Sequence, residues 1–390
     1  MIPRVLMVTG AYHPETSGAS LQCRQLIRLL RGRAEFLVLT TTTDPALAPE
    51  DRVDDTDVSR VFVDPASAAS KATAAMRLAA VLTRLRDRFD IVHLHGFSQK
   101  TMLVMAMARA FGKRIAIKLT SFGHDDALSM RRRGLAAFEF YQRADCFIGV
   151  SPQFETAHRA AGLAPERYVS VPNGVDLMRF SPAVAEDRRT ARRALGLDPD
   201  RAVVLFVGFF SHEKRPDLLY LAWADVTERG LASTLLLVGP TRSTYYEIDA
   251  GMADALKEDA AKRGLLDRIA FVEHTHAIEQ CYKAADVFAL PTLREGMPNV
   301  VLESMASAVP PIVTNLAGVT DWIVEDGVTG LLVPPNDRSA LADALTKLLS
   351  NTPRRETMGH AARTSVEARF SAQRTADLTL MQYVSLIASP

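Results

Sequence analysis

The sequence predicts an α/β protein built from two Rossmann-like, doubly wound domains with a cleft between them. Three observations carry that expectation. Short apolar runs alternate with helix-period segments over nearly all 390 residues. Those runs are continuously hydrophobic rather than alternating, the pattern of parallel strands covered on both faces. A charged, proline-containing break at residues 179–200 separates two such series of similar size.

In the first half, strands are expected at 4–8, 36–40, 60–63, 91–94, 115–119, 146–150 and 168–171. In the second half they are expected at 203–207, 234–238, 269–272, 287–290, 311–314 and 330–333. Helical connections are expected at 21–30, 72–86 and 341–349, with a last helix near 376–387. The expected domains are therefore residues 1–180 and 181–375. A C-terminal helix in 376–390 is expected to cross back to the first domain.

Composition bounds the class. The chain is 48% hydrophobic and 23% charged with a net charge of +1, which excludes collagen-like, disordered and disulfide-scaffold proteins. Three cysteines, Cys23, Cys146 and Cys281, cannot build a disulfide framework and suit a reducing compartment. The N-terminal apolar run is too short for a signal peptide, and no segment reaches the length of a spanning helix. The expectation is a cytoplasmic protein. Residues 1–180 hold 24 Lys/Arg against 18 Asp/Glu, a net of +6, and residues 181–390 hold 22 against 27, a net of −5. That asymmetry suits a first domain facing an anionic partner, whether a phosphorylated acceptor or the inner face of a membrane. No basic tail or aromatic-interleaved basic patch points to nucleic acid.

The most informative segment is 290–303, Leu-Pro-Thr-Leu-Arg-Glu-Gly-Met-Pro-Asn-Val-Val-Leu-Glu, which follows a strand and opens a helix. The seven residues between Glu295 and Glu303 mean little alone; their surroundings add the weight. Gly296 permits an unusual turn, Pro298 ends the loop, and Asn299 is a natural N-cap for a helix from Val300. Glu295 then lies in the loop and Glu303 about one turn into the helix. The amides and dipole at the helix start form a site for a phosphate.

The run Glu295-Gly-Met-Pro-Asn-Val-Val-Leu-Glu303-Ser-Met-Ala resembles the signature of retaining GT-B glycosyltransferases, in the large family four group. Val171-Pro-Asn-Gly-Val-Asp176 followed by Phe180, Val207-Gly208 with Lys214 downstream, and Asp326-Gly-Val-Thr-Gly330 are similar to further segments of that family, in the same order. The resemblance implies a GT-B fold whose C-terminal domain binds a nucleotide-diphosphate sugar and whose N-terminal domain binds the acceptor. It implies that Lys214 meets the leaving diphosphate, that Glu295 takes hydroxyls of the transferred sugar, and that Glu303 takes the ribose. Gly208, Gly296, Met297, Pro298, Asn299 and Val300 would line the donor site. Transfer would retain the anomeric configuration without a metal ion or other cofactor, to an acceptor that includes lipid-linked diphosphates among its candidates.

Four departures from the family pattern stand out. Phe209 occupies the position of a diphosphate-binding arginine, with Arg215 as a candidate replacement. Ser17-Gly18-Ala19 replaces a Gly-Gly acceptor or phosphate loop. Ala317-Gly318-Val-Thr-Asp321 replaces Gly-Gly-x-x-Glu. Phe122-Gly123-His124-Asp125-Asp126 replaces His-Gly-x-Asp, which leaves His124 as the candidate catalytic histidine. A sugar-nucleotide 2-epimerase and a non-catalytic sugar-nucleotide-binding module are the rival readings.

Other clusters are weaker. His93 and His95 share one strand face, but no third ligand at metal-site spacing appears, so no metal site is expected. Asp125-Asp126 lacks the spacing of a pair that chelates a metal-bound diphosphate. Arg24, Arg28 and Arg31 share one helix face, and Arg131-Arg132-Arg133 forms a second basic cluster. Both are candidates for contact with an anionic leaflet or a lipid-linked diphosphate.

Overall fold

The computed structural model describes residues 2–15, 17–241 and 248–388. The chain divides into two units, one of residues 1–174 with 372–390 and one of residues 175–371.

The first unit is built on strands β1 (Arg4–Thr9), β2 (Glu35–Thr42), β3 (Glu50–Val53), β4 (Thr56–Phe62), β5 (Ile91–His95), β6 (Arg114–Leu119), β7 (Cys146–Gly149) and β8 (Tyr168–Ser170). Among the described residues they form one sheet in the order β3-β4-β2-β1-β5-β6-β7-β8. Every pairing is parallel except β3 with β4. One face of the sheet packs Met7, Ile91, Ala116 and Ile148 against Cys23, Leu26 and Ile27 of the helix Gly18–Leu29. Ala376, Tyr383 and Leu386 of the helix Ala372–Ala388 close the same core.

Strand β3 has no counterpart among the expected strands. Its sequence, Glu-Asp-Arg-Val, is an edge strand with charged, exposed side chains, so it carries no apolar run to betray it. The hairpin turns on Asp54 and Asp55, with φ of 50° and 62°, the left-handed pair that matches the twist of the flanking strands.

The second unit is built on β9 (Ala202–Val207), β10 (Ser233–Val238), β11 (Ile269–Val272), β12 (Val287–Leu290), β13 (Pro311–Thr314) and β14 (Leu331–Val333). They form an all-parallel sheet in the order β11-β10-β9-β12-β13-β14. That is the doubly wound order, which reverses between β9 and β12.

The units divide at 174/175 and 371/372, against expected boundaries at 180/181 and 375/376. Local bonding explains the first shift. Val175 N–H donates to Phe370 O at 2.9 Å. The Arg363 guanidinium donates to the carbonyls of Phe180 at 2.6 Å and Leu177 at 3.2 Å. Phe180 packs edge-on against Tyr282 at 5.6 Å. Residues 175–180 are thus held by the second unit's own side chains.

Strands β9 and β12 are pinned at their amino-terminal ends by one buried carboxylate. Val203 N–H donates to Asp286 Oδ2 at 2.7 Å, and Asp286 N–H donates to Val203 O at 2.9 Å. Arg192, whose side chain is 6% exposed, donates to the same carboxylate, and Arg188 pairs with it at 3.1 Å. Removing one member of such a cluster leaves buried charge without compensation. Asp286→Ala is expected to lower the free energy of unfolding by about 3–5 kcal/mol, read from the denaturant midpoint. A loss below about 1 kcal/mol would show that this cluster does not hold the two strands.

Candidate active site

At the carboxyl ends of β9 and β12 the connections leave on opposite sides of the sheet, so the two loops between them border a crevice. The loop after β9 carries Lys214, and the loop after β12 carries Glu295. The Lys214 ammonium donates to Glu295 Oε1 at 2.8 Å, with side chains only 19% and 12% exposed. These two candidate catalytic residues, 81 positions apart, meet in the fold.

Neighbouring residues stitch the loops together. Glu213 O accepts from Leu293 N–H at 2.8 Å and from the Thr292 hydroxyl at 3.3 Å. The Glu213 carboxylate takes the Arg294 guanidinium at 2.5 Å and lies 3.6 Å from Lys214 Nζ. The result is a chain of alternating charge, Arg294–Glu213–Lys214–Glu295. Glu213 and Arg294 were not singled out from sequence; their signal was only their position beside the two site residues. The alternation limits how far either loop can move without separating an ion pair.

The floor of this region is backbone. Gly208 N–H donates to Val238 O at 2.9 Å, and a Cβ on Gly208 would stand 3.0 Å from the Phe206 ring. Gly239, at φ +146°, passes so close that its Cβ would lie 1.9 Å from Gly208 O. Only glycine fits there. Gly239 is a second close-approach glycine that sequence reading missed, although it ends an apolar run before Pro240.

The helix carrying the second glutamate begins one residue earlier than expected. It spans Asn299–Ala306, with Pro298 rather than Asn299 at the cap position and no side-chain cap. Proline at φ −74° sets the extended entry on its own, so Asn299 is free to take helical geometry. Gly296, Met297 and Pro298 are buried in the loop before it, and Val300 is half-buried. Glu303 is partly buried and accepts from the Tyr282 hydroxyl at 2.9 Å, which also lies 3.2 Å from Val300 O. Burial pushes the Glu303 carboxyl up to about 7, against the Tyr282 hydrogen bond and the Arg179 charge, which pull it down.

Arg215 lies one residue beyond Lys214, at the entry to the next helix. Its backbone is left-handed at φ 55°. Its guanidinium is taken up by Asp217, at 3.0 Å, and by Asn336. In the altered loop after β13, Asp321 Oδ1 accepts from Gly318 N–H at 2.7 Å, so the carboxylate that replaces the family glutamate shapes its own turn.

In the first unit, Ser17 caps the helix Gly18–Leu29 through a reciprocal box. Ser20 N–H donates to Ser17 Oγ at 3.1 Å, and Ser17 N–H donates to Ser20 Oγ at 2.7 Å. Gly18 is the exposed first helical residue. His124 is half-buried in a loop shaped by the two carboxylates that follow it. Asp125 accepts from Thr120 N–H at 2.8 Å and Ser121 N–H at 3.0 Å. Asp126 accepts from Gly123 N–H at 2.7 Å and caps the helix Ala127–Arg132 through Ser129 N–H. These aspartates therefore act as backbone ligands. Burial raises the Asp125 carboxyl to about 6 even against those donors.

The strand order of the first sheet also reverses, between β1 and β5. There, Lys100 donates to the Thr41 hydroxyl at 2.6 Å, and Thr41 donates to Gly10 O at 3.1 Å. Lys118, the penultimate residue of β6, is 5% exposed. Burial lowers both ammonium groups to about 8. Neither lysine was singled out from sequence, yet a lone charge near the end of a buried strand is the readable signal for Lys118.

His93 and His95 stack at 4.5 Å, and His93 Nδ1 meets the Tyr383 hydroxyl. Burial lowers His93 to about 3 and holds His95 well below its ordinary value, so both rings are neutral at pH 7. Among the described residues there is no group of three or more His, Cys, Asp or Glu placed to hold a metal ion. On the basic face of the first helix, Arg24 and Arg28 share Asp54 at 2.5 and 2.9 Å, and Arg31 pairs with Asp55 at 3.3 Å. All three cysteines are buried free thiols.

A family described as Glycosyltransferase Family 4 matches residues 16–179, and one described as Glycosyl transferases group 1 matches residues 187–365. The chain belongs to these glycosyltransferases. It is 30% identical over 312 residues to D-inositol 3-phosphate glycosyltransferase of Nocardia farcinica, covering 77% of this chain and 67% of that one. To the same enzyme of Kribbella flavida it is 30% identical over 336 residues, covering 82% and 76%. Two solved structures share the GT-B fold. The Anabaena protein HepE, in complex with UDP and glucose, superposes with a TM-score of 0.79 at 21% identity, over 98% of this chain and 100% of that one. Sucrose-phosphate synthase of Thermosynechococcus elongatus superposes with a TM-score of 0.81 at 22% identity, over the whole of both chains.

In this glycosyltransferase a raised Glu303 has a measurable cost. A carboxyl whose folded pKa lies above its unfolded value adds stability at low pH, and that contribution is lost as pH rises through about 7. Glu303→Gln removes the buried negative charge while keeping the shape. The variant is expected to gain about 1–3 kcal/mol over wild type at pH 8, and the gain should shrink toward pH 5. A stability difference that does not change with pH would contradict this.

Proposed function

We propose that this glycosyltransferase moves a sugar from a nucleoside-diphosphate sugar, bound by the second unit, to an acceptor hydroxyl with retention of anomeric configuration. The observation that carries the proposal is the half-buried Lys214–Glu295 pair at 2.8 Å, beside the start of the helix Asn299–Ala306 at the switch point of the second sheet. The diphosphate gains charge as the sugar C1–O bond breaks, and a fixed cation with oriented helix-start amides stabilises that charge. Lys214 supplies the positive charge in place of a metal ion. Glu295 accepts hydroxyls of the sugar, and Glu303 accepts those of the ribose.

The acceptor oxygen bonds to C1 on the face the diphosphate leaves. The acceptor proton passes to the departing diphosphate oxygen, so no side chain has to serve as base or nucleophile. His124 contributes as a polar group of the first unit. The curated relatives are named for D-inositol 3-phosphate, and a phosphorylated polyol is the acceptor class proposed here. What supports it is the net charge of +6 in residues 1–180 together with Lys100 and Lys118 near the carboxyl edge of the first sheet. The free, buried thiols support a cytoplasmic setting.

Lys214→Ala and Glu295→Ala are each expected to lower kcat by about 10²-fold or more, as loss of a preorganised charge does. Proton NMR of the first-formed product should show the anomeric configuration of the donor. Unchanged turnover in both variants would remove the site assignment. Release of an altered nucleotide sugar without any acceptor would replace transfer by epimerisation.

A further inference from the structure

The surface around residues 131–143 of the first unit carries charge and exposed apolar area together. Residues 127–144 contain four arginines, Arg131, Arg132, Arg133 and Arg143, and one acid, Glu139, so their net charge is 4 − 1 = +3. Among the described residues none of these four arginines is ion-paired, in contrast to Arg24, Arg28 and Arg31. Arg131, Arg132 and Arg133 are consecutive and all exposed.

Gly134 follows at φ +115°, with nothing within 4 Å of where a Cβ would stand. It turns the chain between the helices Ala127–Arg132 and Leu135–Tyr141. Leu135 is left 86% exposed at the start of the second helix. On that helix Phe138 and Phe140 are half-buried, and their rings carry the guanidinium groups of Arg131 at 5.5 Å and Arg143 at 5.6 Å.

The patch has a firm base. Met130 and Tyr141 are fully buried, and Tyr141 packs against Phe97 and Phe147 at ring distances of 5.3 and 4.8 Å. Asp126 caps the first of the two helices. A single exposed leucine is ordinary on a protein surface. An exposed leucine two residues from a run of exposed arginines that carry no ion pair is complementary to something both anionic and apolar. A bilayer with anionic headgroups offers both, with phosphates for the guanidinium groups and the headgroup–acyl boundary for Leu135.

We propose that the tip formed by residues 131–135 docks the first unit peripherally on an anionic lipid bilayer. No helix among the described residues is long and apolar enough to cross a membrane, so the contact is to the surface. This inference does not depend on the assignment of Lys214 and Glu295.

The test is co-sedimentation of the full chain with vesicles of phosphatidylcholine alone and with vesicles also containing phosphatidylglycerol. Binding is expected to the anionic vesicles, with little to the neutral ones, and it should fall as salt is raised. The double variant Arg132→Gln/Arg133→Gln should weaken partition about 25-fold, at about fivefold per charge removed. Leu135→Gln should weaken it several-fold while leaving turnover on soluble substrates and the unfolding midpoint unchanged. Equal sedimentation with both kinds of vesicle would overturn the proposal. So would wild-type partition by a folded double variant.

Discussion

The structure of the second unit depends on one constraint: β9 and β12 are neighbours in the sheet, yet their connections leave on opposite sides. At their amino-terminal ends the strands are locked by Asp286, which bonds Val203 N–H and takes Arg192 and Arg188. At their carboxyl ends no further strand can fill the gap, and the loops that border it carry Lys214 and Glu295. A buried ionic lock at one end and a charged crevice at the other are two results of the same strand order. The half-buried pair would be costly in a sealed core, because desolvated charges need bonding partners on every side.

The charges around the crevice explain why it keeps its form. Glu213 bonds Leu293 and Arg294 across the gap while its neighbour Lys214 reaches Glu295. Gly208 and Gly239 bring the backbone so close that a side chain on Gly239 would collide with Gly208 O. Glu303 illustrates the opposite bargain. Its carboxyl is raised to about 7 by burial and steadied by Tyr282, so it weakens the fold at high pH. The first unit repeats the design in milder form, with Lys100, Thr41 and Gly10 linked where its own strand order reverses.

Much of this was legible in the sequence because buried parallel strands announce themselves as apolar runs. The expected strands at 269–272, 287–290 and 311–314 coincide with β11, β12 and β13. The edge strand β3 did not announce itself, since an edge exposed to water is built of charge. Resemblance to a family assigned Lys214 and Glu295 to one donor site but not to each other; no local pattern links residues so far apart. Three kinds of feature lay beyond local reading. Tyr282 and Glu213 act on site residues through tertiary contacts. Asp54 pairs with both Arg24 and Arg28 from a hairpin that the sequence hid. Pro298 displaces Asn299 from the cap because its ring already sets the entry angle.

The central claim is that the crevice beside Lys214 binds the diphosphate of a nucleotide sugar. The most direct measurement is calorimetric titration of UDP, GDP, ADP and their glucose conjugates into the wild-type protein and Lys214→Ala. The account predicts saturable binding of one nucleotide class by the wild type. It predicts affinity lower by about tenfold or more in the folded variant, consistent with loss of a charged hydrogen bond of about 1.5–3 kcal/mol. Absence of binding by the wild type to every one of these ligands, or equal affinity in the variant, would contradict it.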